Sequence, residues 1–360
     1  MPSPLGQPLD VLDSPQLVID LDVVDANLER MFSAFRNRPV NVRVHFKSLK
    51  CTGLARHIAA AGGKGFLCAK LNEAEALADA GLTDILIANQ IVGPIKMRRL
   101  GQLARRAEVS VCVDQPENID ALAAAAQAAE ATLGVLVEVN MGMNRCGVEP
   151  GEPAVALARR IQAHPGLRFM GLQGYEGQLQ QIDDLAERRT KCLAVLEKLI
   201  GTRRLIEQAG IPVRVVTGAG TGTYETYGNY EGVTEIQPGS FVLMDRRYCE
   251  LQPNFRSALS IWSTVVSKSP TRYVLDAGSK AISQDFGKPA IKDRPKDEVI
   301  GLSEEHTKVA SGDPAVRVGD HLEVIPTHCC ATMNLHRNCV AARRGRIEAL
   351  WPIEASGRYD

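Results

Sequence analysis

Three side chains able to carry positive charge, His45, Lys47 and Lys50, leave the end of one apolar run. The run is Val40, Val42, Val44 and Phe46, alternating as a half-buried strand does. A lysine at such a strand end is partly desolvated and lies beside other cations, and both effects disfavour its ammonium form. An amine held that way can attack an aldehyde near neutral pH, so Lys47 is a candidate Schiff-base nucleophile, with His45 a candidate catalytic partner. The plainer alternative is a strand followed by a solvated basic turn.

Two further groupings could bind ligands. In Gly218-Ala219-Gly220-Thr221-Gly222 the glycines allow close backbone approach. Successive amides, with the Thr221 and Thr223 hydroxyls, could donate to phosphate oxygens. Pro238-Gly239-Ser240 would complete such a cradle; a simple turn is the alternative. In His328-Cys329-Cys330 the histidine and the second cysteine are two apart, and at the end of a strand they would share a face. Imidazole and thiolate together suit zinc or another borderline divalent cation, and two protein ligands leave positions open for water and substrate. Two buried cysteines beside a hydrogen-bonded histidine would look the same.

These groups need a frame. Short β-branched runs at 42–46, 65–69, 84–88, 109–113, 134–139, 169–175, 213–217 and 232–237 alternate with helical patterns at 52–61, 71–80, 94–107, 116–128, 153–163 and 185–208. Eight strands separated by helices predict a parallel (β/α)8 TIM-type barrel. Beyond about residue 245 helical periodicity fades, and strand-like runs at 258–268, 272–277, 321–326 and 338–343 predict a mostly antiparallel β domain. A short strand at 16–21 precedes the barrel and is expected to join that domain. The expected division is therefore 23–245 for the barrel, and 1–22 with 246–360 for the β domain. In a barrel the functional residues come from the C-terminal strand ends. Lys47, the 140–147 segment, Tyr175-Glu176-Gly177 and the 217–223 turn all pass that filter.

Composition narrows the partners. Lysine plus arginine and aspartate plus glutamate number 42 each, which gives no electrostatic case for nucleic acid or an anionic membrane. The leading Met-Pro-Ser-Pro-Leu-Gly-Gln lacks the basic and apolar regions of a signal peptide, and no run is long enough to span a bilayer. Nine cysteines, an odd number mostly in apolar settings, predict reduced thiols and a cytoplasmic protein acting on a small molecule.

Taken together the motifs resemble the D-threonine aldolase / D-serine dehydratase group of fold-type III pyridoxal-phosphate enzymes, the alanine racemase-like fold. Arg43-Val-His45-Phe-Lys47-Ser-Leu-Lys50 resembles that group's Arg-Pro-His-x-Lys-x-His-Lys, whose first lysine carries the cofactor. Met143-Asn144-Arg145-Cys146-Gly147 is similar to a segment whose arginine contacts the cofactor's phenolic oxygen. Tyr175-Glu176-Gly177 stands where Tyr-x-Gly lines the cofactor. Gly218 to Gly222 matches the phosphate loop, and His328-x-Cys330 with Asn334-Leu335-His336 matches the metal motif.

The resemblance implies pyridoxal 5'-phosphate on Lys47 and a divalent cation (Zn, Mn or Mg) on His328 and Cys330. It further implies a homodimer acting on 3-hydroxy-D-amino acids. Aldol cleavage to glycine and an aldehyde is the expected reaction, with Glu176 or a metal-bound water as base. Dehydration to a 2-oxo acid and ammonia is the alternative. Val44 and Leu49 replace a proline and a histidine of the pattern, and Glu176 stands where aldolases commonly carry histidine. Cys330 matches the dehydratase form of the metal motif, whereas the Asn-Leu-His run and the Trp351-Pro-Ile-Glu tail look like the aldolases. A barrel acting only in cofactor homeostasis would lack the β domain. A racemase would want a tyrosine base there, for which Tyr273 is the nearest candidate.

Overall fold

In a computed structural model whose described residues are 3–360, the chain divides into two compact units. One comprises Phe32–Lys47, Ala55–Gly239 and Arg358–Asp360; the other comprises residues 3–31, Ser48–Leu54 and Ser240–Gly357. The changeover at Gly239/Ser240 precedes the expected boundary, and Ser48–Leu54, expected in the barrel, belongs to the β unit. The first two residues of the expected 1–22 segment lie outside the described residues.

The first unit is a parallel barrel. Its strands run in the order Asn41–Val42, Glu235–Ile236, Val215–Gly218, Leu167–Gly174, Leu133–Glu138, Glu108–Val113, Asp84–Ile87, Phe66–Cys68, Val44–His45. The two ends of that order are consecutive in the chain, so one strand, divided at Arg43, closes the ring. The amides of Asn41, Arg43 and His45 donate to the carbonyls of Thr234, Ile236 and Pro238 at 2.9, 2.9 and 3.0 Å. Eight strands therefore form the barrel, as the alternation predicted. Strand Leu133–Glu138 is buried at every position because a parallel sheet is covered on both faces. Leu67, Leu86, Ala88, Cys112 and Leu136 pack together inside it.

Arg43 occupies the break. Its guanidinium lies 2.9 Å from Glu235 and 2.8 Å from Asp84, and the Glu235 side chain is only 6% exposed. Removing the cation strands a buried carboxylate. Arg43→Ala is expected to cost about 3–5 kcal/mol in denaturant unfolding; a loss below about 1 kcal/mol would show that the closure does not depend on this pairing.

The β unit is a sheet ordered Glu298–Leu302, Thr307–Ala310, Arg272–Leu275, Leu259–Ser269, Gln16–Asp20, Asn338–Arg343, Arg346–Pro352. His321–Ile325 pairs with Leu259–Ser269 and with Ala290–Ile291. The pairings are antiparallel except one: Gln16–Asp20 lies parallel to Asn338–Arg343, so the early strand does join this sheet. Val18, Val340, Ala342 and Ile347 form its local core with Leu9, Leu12 and Trp262. Among the described residues no helix is long and apolar enough to cross a membrane.

One local expectation is corrected. His328 and Cys330 do not end a strand. Strand His321–Ile325 stops before Pro326, and His328 is the extended N-cap (φ −145°) of helix Cys329–Leu335. Proline cannot donate to a sheet ladder, and the chain turns there into a helix.

Candidate active site

The barrel's C-terminal strand ends collect the expected polar groups. Lys47 sits in the short 3-10 turn Phe46–Ser48 after strand Val44–His45, and its ammonium nitrogen is 5.7 Å from the centre of the Tyr175 ring. Arg145 approaches the same ring, its guanidinium carbon at 5.5 Å. Tyr175 follows strand Leu167–Gly174, and Arg145 lies in the loop after Leu133–Glu138. His45 is buried, and its Nδ1 lies 3.1 Å from the Leu67 carbonyl and 3.4 Å from the Lys47 amide. Lys50 is placed in the β unit, where its ammonium donates to the Ala355 carbonyl at 3.3 Å.

Four polar side chains beside these were not singled out in advance. The Gln90 amide donates to Glu138 at 2.6 Å, and Arg145 stands 3.9 Å from the other oxygen of that carboxylate. Gln173 donates to the Ala88 carbonyl (3.0 Å) and accepts from Gln237 (3.1 Å). Burial raises the Glu138 pKa despite the Gln90 hydrogen bond and the charge of Arg145. A signal for one of them existed: Glu138 is a polar residue at the end of an otherwise apolar strand, where a barrel places its site.

The glycine turn follows strand Val215–Gly218, as expected. A Cβ on Gly218 would fall 2.1 Å from the Gly174 carbonyl, and one on Gly222 would fall 2.3 Å from that of Gln180, so neither position admits a side chain. Ala219 takes a left-handed conformation (φ +67°), uncommon for a residue with a Cβ and found where turns are held under constraint. The amides of Ala219, Gly220 and Gly222 are engaged by Glu176, Thr223 and Gln180 at 3.3, 3.3 and 2.9 Å. Thr221 is buried in the same turn.

Glu176, expected as a candidate base, is held by the glycine turn itself. It is fully buried, and Gln180, Thr223 and the Ala219 amide donate to its carboxylate. Burial pushes its pKa up to about 7 against those hydrogen bonds. Of the expected second half of the cradle, Gly239 closes the barrel segment, whereas Ser240 falls in the β unit with its hydroxyl 3.6 Å from the Cys330 sulfur.

In the β unit His328 and Cys330 do come together. Burial opposes the His328 imidazolium, but hydrogen bonds to Cys330 and Asp285 outweigh it and push the pKa up to about 9. His328 Nδ1 is 2.8 Å from Asp285 Oδ2, so the carboxylate fixes the ring and leaves Nε2 for a ligand. The Cys330 sulfur is 3.1 Å from the Ser48 hydroxyl. Asp245 caps helix Arg246–Leu251 and also accepts the Cys329 amide at 2.8 Å, which anchors the start of the Cys329–Leu335 helix. A histidine braced by a carboxylate is how proteins orient metal-binding imidazoles. Among the described residues no group of three or more His, Cys, Asp or Glu side chains could hold a metal ion, so any cation here would have two protein ligands. Asp285 escaped sequence reasoning because nothing in its local sequence pairs it with a histidine 43 residues on.

A closed parallel barrel with a lysine at its first strand end and a glycine turn after its seventh, followed by an antiparallel β unit, defines the alanine racemase-like class of pyridoxal-phosphate enzymes. Residues 19–247 match the family described as alanine racemase, N-terminal domain, and residues 258–342 match a putative serine dehydratase domain. The chain is 37% identical to a D-threonine aldolase from Arthrobacter over 99% of its own length and 96% of the relative's. Among solved structures it resembles D-threonine aldolase from Filomicrobium marinum (TM-score 0.96, 38% identity, 99% of both chains). It also resembles a D-threo-3-hydroxyaspartate dehydratase, solved as a cysteine-to-alanine variant in the metal-free form (TM-score 0.84, 26% identity, 96% of this chain and 98% of that one). The protein belongs to the D-threonine aldolase / D-serine dehydratase family of fold-type III enzymes and is a lyase.

Proposed function

We propose that the protein is a pyridoxal-phosphate- and divalent-cation-dependent aldolase that cleaves 3-hydroxy-D-amino acids such as D-threonine to glycine and an aldehyde. The observation that carries this is full-length similarity to D-threonine aldolases together with a lysine amine poised over Tyr175 at a barrel strand end. The residues fit the cofactor. Lys47 would hold its aldehyde carbon, Tyr175 and Arg145 would flank it, and the glycine turn, closed to any Cβ at Gly218 and Gly222, would receive its phosphate. When bound, it supplies a sink for the electron pair left at Cα. The Asp285-braced His328 and the Cys330 thiolate would hold the cation, which supplies a Lewis acid for the β-hydroxyl.

The chain's own groups have distinct tasks. Lys47 binds the cofactor and carries the proton that Cα gains after the Cα–Cβ bond breaks. Arg145, backed by Glu138, presents a fixed positive charge beside Tyr175. Gln173 and Gln237 satisfy each other at the strand ends. Glu176 is enclosed by its own donors, and a cation held by His328 and Cys330 would supply the acidity that eases loss of the β-hydroxyl proton. The family resemblance further supports a homodimer, the balanced charge a small-molecule enzyme, and the cysteines in apolar settings a reducing cytoplasm.

A second reading, dehydration, is favoured by Cys330 as metal ligand and by the serine dehydratase match over 258–342. There Lys47 would remove the Cα proton, and a cation held by His328 and Cys330 would supply the Lewis acidity that eases departure of the β-hydroxyl. D-threonine separates the two. Acetaldehyde with an equal amount of glycine is the expected product; 2-oxobutyrate with ammonia would replace the aldolase reading by the dehydratase one.

A further inference from the structure

The proposed reaction leaves the buried carboxylate of Glu176 unused. Glu176 is fully enclosed, and its Oε1 accepts from the Thr223 hydroxyl (2.5 Å) and from Gln180 Nε2 (2.9 Å), while Oε2 accepts from the Ala219 amide (3.3 Å). Gln180 Nε2 also reaches the Thr223 hydroxyl oxygen (2.8 Å), and Gln180 Oε1 takes the Gly222 amide. The Ala219, Gly220 and Gly222 amides and the Thr223 hydroxyl are thus collected by Glu176, Thr223 and Gln180. The titratable groups facing Glu176 are Cys192 on helix Leu185–Gln208 and Tyr227 on helix Tyr224–Gly228. Burial drives the pKa of both upward, so they stay neutral. Among the described residues no cation pairs with it.

An anion so placed has two consequences. It commits the Thr223 hydroxyl hydrogen, one of the donors a phosphate in this turn would use. It also sets a negative charge directly behind a turn meant to receive another. We propose that Glu176 is the positioning residue of the glycine turn and takes up one proton from solvent when a phosphate monoester occupies it. This rests on the reading that the turn holds the cofactor's phosphate. The proton goes to Oε1, and the 2.5 Å hydrogen bond reverses so that Glu176 donates to Thr223 in place of the longer Gly220 amide contact (3.3 Å); the Thr223 hydroxyl hydrogen and the Gly220 amide are released as donors. No bond other than O–H forms or breaks. Burial already pushes the pKa of the carboxyl up to about 7, so little else is needed to tip it.

The sign follows. Below pH 7 Glu176 already carries its proton and binding costs nothing extra. Above pH 7 each bound phosphate must draw a proton, and affinity falls about tenfold per pH unit until the bound-state pKa is reached. The test uses pyridoxine 5'-phosphate, which has no aldehyde and so leaves Lys47 chemistry aside. Its phosphate is already a dianion above pH 7 and adds no titration of its own. Calorimetry of the cofactor-stripped full-length protein in two buffers of different ionisation enthalpy should show close to one proton taken up at pH 8. Glu176→Gln should abolish that uptake and flatten the pH profile. Should that variant fail to fold, the wild-type infrared difference spectrum still decides, because a protonated-carboxyl band must grow in as the ester binds. Binding without proton uptake, or without that band, overturns the role of Glu176 and leaves the cofactor reading standing. Absence of binding at any pH overturns both.

Discussion

Lys47→Ala is expected to yield a colourless protein whose activity towards D-threonine falls by at least about 10³-fold. Two losses coincide there, that of the amine that binds the cofactor covalently and that of the group that moves the Cα proton; the latter alone is usually worth 10²–10⁴. Lys47→Arg is the sharper control. It keeps the positive charge beside Tyr175, yet a guanidinium does not deprotonate at any working pH and cannot act as the nucleophile. Both variants should lack the visible absorbance of lysine-bound cofactor. A band retained near its original position in either would place the attachment at another amine.

The second large effect concerns the cation. Chelation should silence turnover while leaving the cofactor's absorbance intact, and added divalent cation should restore it. His328→Ala should not be restored. Asp285→Asn is the more informative change, because Asp285 would touch only the imidazole and not the ion. Losing the carboxylate that orients Nδ1 should weaken cation affinity by about 10–100-fold, measurable as a shift in the concentration that restores activity. Full turnover after rigorous metal removal would retire His328 and Cys330 as ligands.

Much of the barrel was legible because its signals are local. Helices Pro116–Ala128 and Leu185–Gln208 begin and end where their patterns predict, and the strands are short apolar runs between them. The β unit was harder. Glu298–Leu302, Thr307–Ala310 and Arg346–Pro352 bury only one or two residues each, carry charges on their exposed positions, and gain their identity from distant partners. The site divides the same way. Lys47, Tyr175 and the glycine turn declare themselves through residue type and position. Glu176 did not, because an unpaired carboxylate next to a site tyrosine reads as a base until its three donors, from residues up to 47 positions away, are in view. The helix at Cys329 was hidden for another reason: seven residues are too few to show periodicity.

The place of Gln16–Asp20 bears on how the protein is made. That strand hydrogen-bonds on one side to Leu259–Ser269 and on the other to Asn338–Arg343, so its neighbours lie more than 230 residues further on. During synthesis it leaves the ribosome first and must wait, unpaired along both edges, while the barrel is translated and can fold. Such a long-range closure is slow and leaves an apolar segment open to wrong partners until the last strands arrive.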